Sequence, residues 1–87
     1  MTLHNLKVWP EFWPALSRNL KKVEVRKADR DFKFGDTLLL QEFIPETGQY
    51  TGQMCERMVT HVLQGGQFGI AEGYVALSIC PPPEEDL

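Results

Sequence analysis

Apolar and polar positions alternate in Leu3-His4-Asn5-Leu6-Lys7-Val8, with Leu6 and Val8 on one side and Lys7 on the other, so a strand is expected there. Pro10 then opens a helix, because proline suits a first turn. Phe12, Trp13 and Leu16 recur at helical spacing, and Pro14 still falls early enough for its missing donor to do little harm. The helix is expected to end near Arg18-Asn19, since asparagine readily takes the left-handed conformation that terminates helices. Lys22-Val23-Glu24-Val25-Arg26 alternates strictly, which puts the two valines on one face of a strand and the three charged residues on the other.

A charged loop, residues 27 to 33, leads to the turn signal Phe34-Gly35-Asp36. Residues 37 to 44 read as an apolar strand and Pro45-Glu46-Thr47-Gly48 as a turn. Tyr50-Thr51-Gly52 leads into a strand over residues 54 to 63, the glycines at 65, 66 and 69 mark a loop, and residues 74 to 80 form a last apolar strand. One covering helix on about five mostly antiparallel strands makes a small α+β domain with a partly closed barrel. Pro81-Pro82-Pro83 and the acidic Glu84-Glu85-Asp86 end the fold, which divides the chain into a domain over residues 1–80 and a tail over 81–87.

The 87 residues amount to one domain, able to bury roughly 60–65% of the unfolded surface around one core. No apolar run approaches the ~20 residues of a membrane span, and the start lacks the basic-then-apolar pattern of a signal peptide. A cytoplasmic location is the resulting expectation. The net charge of −3 argues against tight nonspecific binding along a phosphate backbone. Eight of the nine basic residues nevertheless lie in the first 33, which allows a local basic surface on an acidic protein. Cys55 and Cys80 lack metal-ligand spacing, and His4 and His61 would complete a zinc set only by coincidence, so no metal and no cofactor are expected. Both cysteines read as buried free thiols.

The candidate chemistry centres on Lys21, Glu24 and Arg26. A cation, a carboxylate and a guanidinium at one spot can read a planar hydrogen-bonding ligand or hold a phosphate. The same residues would equally make a salt-bridged cluster on an exposed sheet face.

Asn19-Leu20-Lys21-Lys22-Val23-Glu24-Val25-Arg26 followed by Phe34-Gly35-Asp36-Thr37-Leu38 resembles the signature of ASCH domains in the PUA-like superfamily. Within it the chain is similar to a short bacterial and phage group through His4-x-Leu6-Lys7, Pro10-x-Phe12, Asp29-Arg30-x-Phe32, Tyr50-Thr51-Gly52 and Gly73-Tyr74-Val75-x-Leu77. Asn19 stands where that signature has glycine. The resemblance implies a small β-barrel with a helix at its side. It also implies a cleft lined by the lysine, glutamate and arginine that binds RNA or a nucleotide-like ligand.

Lys7 and Arg30 are then rim residues, and Tyr50 is a candidate stacking face. Tyr74 reads as packing, and Trp9 and Trp13 as core and lid. One family of ASCH-type proteins hydrolyses acetylcytidine with a lysine, a threonine and a glutamate. Lys21 falls on that lysine, Glu24 falls on the threonine, and Glu42 and Glu72 are regional candidates for the glutamate. A third reading is a protein-interaction module with a protein partner.

Overall fold

A computed structural model of the protein describes residues 1–83; the acidic part of the expected tail lies outside them. Five strands and one short helix follow one another: β1 (Leu3–Val8), α1 (Trp13–Ser17), β2 (Val23–Lys27), β3 (Thr37–Ile44), β4 (Gln49–Gln64) and β5 (Tyr74–Cys80). A 3₁₀ turn over Pro10–Phe12 precedes α1. The strands form one sheet in the order β1-β3-β4-β5-β2, curled into a half-barrel whose free edges are β1 and β2. Three of the four pairings are antiparallel; β1 runs parallel to β3.

The core lies on the inner face of this sheet. Leu6 and Val8 of β1, Leu38 and Leu40 of β3, Val59 of β4 and Val75, Leu77 and Ile79 of β5 are all buried there. Trp13 and Leu16 of α1 join them, so the helix plugs the inside of the curl rather than covering its outside. Arg57 of β4, opposite Leu38, fastens the plug: its Nη2 donates to Leu16 O at 2.7 Å, a cation meeting the carbonyl end of a helix.

The exit from α1 is a Schellman motif. Asn19 N–H donates to Leu16 O at 3.0 Å and Leu20 N–H to Ala15 O at 2.8 Å, with Asn19 left-handed at φ 59°. This turn delivers Lys21 directly to the start of β2.

In β2 the expected alternation is present, with Glu24 rather than the valines turned inward. Glu24 lies directly opposite Leu77 and is only 5% exposed, while Val25, opposite Ala76, is 57% exposed. The charged face of the strand points into the half-barrel and the valines point out. A Val23→Thr substitution is therefore expected to change stability by less than about 0.5 kcal/mol, read from the denaturant midpoint.

Candidate functional site

Because the sheet does not close, a groove of about 900 Å³ runs between the β1 and β2 edges. Its β2 side carries the charged motif. Glu24 uses both carboxylate oxygens: Oε1 takes Lys21 Nζ, and Oε2 accepts from Arg26 Nε at 3.0 Å. Lys21 Nζ also donates to Val23 O, on the open edge of the strand. Arg26 then crosses the gap, its Nη2 donating to Lys7 O on β1 at 2.7 Å. Arg30 reaches the same edge at Asn5 O, 3.5 Å away. Arginine side chains thus span the place where a further strand would complete the barrel, supplying donors to carbonyls of an unpaired edge.

The β1 side is aromatic. Trp9 and Phe43 have ring centroids 5.9 Å apart, and Phe43 meets Tyr50 edge-on at 5.0 Å. Lys7 Nζ lies 4.4 Å from the Phe43 centroid, a cation over a ring face. Trp9, Tyr50 and Lys7 line the groove.

Each sequence-derived candidate, Lys7, Lys21, Glu24, Arg26, Arg30 and Tyr50, borders this one groove. One expectation needs correcting. Tyr74, read as packing, lines the groove. Trp9, one of the two tryptophans read as core and lid, lines it too and is 41% exposed. Both sit at strand ends: Trp9 follows the last residue of β1 and Tyr74 is the first of β5. Trp13 is buried as expected. Sequence reasoning also missed Lys27 and Asp29, which read as part of a charged loop; Lys27 instead ends β2, and both border the groove.

The salt-bridged cluster is likewise not on an exposed face, since Glu24 is buried. Of the regional glutamates, Glu42 accepts from Thr51 Oγ1 at 2.8 Å and Glu72 lies in the loop before β5; neither lines the groove.

The electrostatics are lopsided. Among the described residues, Lys7, Lys21, Arg26, Lys27 and Arg30 line the groove with Glu24 and Asp29, five cations to two carboxylates, on a protein whose net charge is −3. A low-dielectric wall behind such a cluster strengthens its field. Cys55, on the inner face opposite Leu40, is half-buried rather than fully buried. Burial pushes its thiol up, the Arg57 charge pulls the other way and Glu24 adds to the rise, which leaves a neutral thiol rather than a nucleophile.

Among the described residues no cluster of histidine, cysteine and carboxylate side chains could hold a metal ion, and no helix is long and apolar enough to cross a membrane.

The family model described as "Domain of unknown function (DUF3850)" matches residues 3–79, from the first residue of β1 to the penultimate one of β5. The chain belongs to this family. The DUF3850 match therefore takes in both walls of the groove and every residue of the charged motif. A curated relative, the "Uncharacterized 12.9 kDa protein in GpA 3'region" of Escherichia phage P2, is 33% identical over 60 residues. That alignment covers 69% of this chain and 53% of the phage protein, so the chain spans about half the length of the curated relative it matches.

Proposed function

We propose that the groove binds RNA or a nucleotide-like ligand, in the manner the ASCH and PUA-like resemblance implies. The observation that carries this reading is the pairing of an excess of cations on one wall with exposed aromatic rings on the other. An anionic ligand with a flat ring needs both. The volume also suits a small ligand, since sites for such molecules run to roughly 300–1,000 Å³.

Glu24 acts here as the anchor that aims two cations, because both of its oxygens are already engaged. Arg26 and Lys21 meet phosphate or base acceptors, and Tyr50 or Trp9 takes the base. With two or three phosphate contacts, affinity falls only about tenfold between 50 and 200 mM salt.

Tryptophan fluorescence tests this directly. Trp9 is exposed in the groove and Trp13 is buried, so Trp9 dominates any quenching by a bound base. Titrating with nucleosides, nucleoside monophosphates, acetylcytidine and short RNAs is expected to give saturable quenching. Arg26→Ala is expected to weaken it about tenfold and reduce the salt slope by about one. A loss of 10³-fold or more across that salt range would mean many phosphate contacts and sink the groove reading. Release of acetate from acetylcytidine would instead make the site a hydrolase, with Lys21 and Glu24 as its groups. Absence of quenching across the panel would point to a protein partner.

A further inference from the structure

The loop of residues 65–73, joining β4 to β5, ends in a tight turn with an unusual occupant. Ile70 N–H donates to Gln67 O at 2.9 Å, and the two residues between them, Phe68 and Gly69, have φ of 53° and 79°. Two central residues with positive φ make this the type I′ geometry, whose first position belongs to asparagine, aspartate or glycine. A bulky residue there is strained.

The turn is nonetheless firmly built. Gln67 Nε2 donates to Gln64 O at 2.9 Å, Gly66 N–H to Ile70 O at 2.7 Å and Gly65 N–H to Tyr74 O at 2.7 Å. A Cβ on Gly65 would stand 2.1 Å from Ala71 O, so the base of the loop closes too tightly for any other residue. Phe68, at the tip, is 85% exposed. It takes no share in the core, and the turn would form more easily without it. What remains is its outward face.

The position of that face gives the ring a use. The loop stands on Gly73 and Tyr74. Gly73 O accepts from Ala28 N–H at 2.8 Å, and Tyr74 pairs with Lys27 and lines the groove. The Phe68 turn therefore rises from the Lys27 end of the groove, while Lys21 marks the opposite end. Resting on the nucleotide-binding reading above, we propose that the ligand is single-stranded RNA several nucleotides long. One nucleotide sits in the groove, and a neighbouring base beyond the Lys27 end stacks on Phe68. Stacking on an isolated ring is tolerant of sequence, so Phe68 adds length-dependent affinity rather than base choice.

The test compares a nucleoside monophosphate with an eight-nucleotide single-stranded RNA on wild type, Phe68→Ala, Phe68→Trp and Phe68→Asn. Wild type is expected to bind the RNA more tightly than the monophosphate. Phe68→Ala should lose about five- to tenfold for the RNA and nothing for the monophosphate, and Phe68→Trp should keep both affinities. Phe68→Asn, which suits the turn, should raise the melting temperature while losing the same RNA affinity. That outcome would separate a ring kept for contact from one kept for folding.

Unchanged RNA affinity in Phe68→Ala, with the monophosphate still bound, overturns this proposal alone. Equal losses for both ligands also overturn it, because the turn would then act through the fold. Failure of both ligands to bind wild type removes the groove reading itself. Self-association that Phe68→Ala abolishes, with no length effect for RNA, would reassign the ring to protein contact and overturn the proposal.

Discussion

A Glu24→Ala protein is expected to lose about 2 kcal/mol of stability and to bind nucleotides about a hundredfold more weakly. The stability loss follows from burial. Glu24 is the shared counter-charge of Lys21 and Arg26, and its side chain is 6% exposed against 26% and 22% for theirs. Removing one partner of a fully buried pair costs roughly 3–5 kcal/mol, and the figure is reduced here because water still reaches both cations. For a domain of this size, 2 kcal/mol corresponds to a fall in melting temperature of roughly 8–16 °C.

The binding loss discriminates between two accounts of the groove. If affinity came from charge alone, deleting a carboxylate would tighten anion binding. If it comes from two cations held in place, unseating both costs about tenfold each. Paired thermal melts and fluorescence titrations of Glu24→Ala and Glu24→Gln read both quantities. Tighter nucleotide binding by either variant would rule out a positioning role for Glu24.

The second large effect is expected at Asp36, which precedes β3 and is 3% exposed. Its Oδ2 accepts from His4 Nε2 at 2.7 Å and from Lys33 N–H at 3.0 Å, and its Oδ1 from Thr2 N–H at 3.1 Å. The carboxylate thus ties the start of β1 to the turn before β3, with the His4 ring packed on Phe32 at 4.7 Å. Hydrogen bonds to a charged group are worth roughly 1.5–3 kcal/mol each, so Asp36→Ala, which removes all three, is expected to cost about 3–4 kcal/mol after relaxation.

Burial by itself pushes the Asp36 carboxyl up. The bonds from His4, Thr2 and Lys33, together with the His4 charge, outweigh it and hold the group below its ordinary 3.8. A group depressed in the folded state contributes stability above its unfolded value and loses it as pH falls through the folded one. Urea midpoints should therefore hold from neutrality to about pH 4 as far as Asp36 is concerned, then drop below 3.8, and Asp36→Asn should lack that drop. An identical acid limb in Asp36→Asn would rule Asp36 out as its source.

Much of the fold is legible in the residues. β1, β3 and β5 appear where alternation and apolar runs between turn signals place them, and Asn19 takes the left-handed cap that its side chain tolerates. β4 begins at Gln49, earlier than its pattern suggests. Gly52, with φ at 94°, reads as a lead-in to the strand but lies within it where the β3–β4 register shifts, so the strand runs through an irregularity. The parallel β1–β3 pair has no local signature, because nothing in either segment specifies a partner's direction.

Lys21, Glu24 and Arg26 were visible through spacing, but their burial was not. Alternation fixes which residues share a face and leaves open which face turns inward; polarity favours the valines, and β2 does the opposite. Trp9 and Tyr74 escaped for a related reason. Apolar rings are normally covered, and these two, at the ends of β1 and β5, line the groove instead.

That seam also has a history in the folding of the chain. β3, β4 and β5 are hairpin neighbours whose pairing closes short loops. β1 and β2 each attach through one distant partner, Leu3 to Thr37 and Val23 to Ser78. Pairings that close long loops form late, and strands held on one edge open at lower free energy than the centre of a sheet. Among the described strands, the two that wall the groove are therefore expected to assemble last and fray first. A ligand lodged between β1 and β2 would act as a clasp on the two loosest strands, protecting their amides from exchange while leaving the β3–β4–β5 meander as it was.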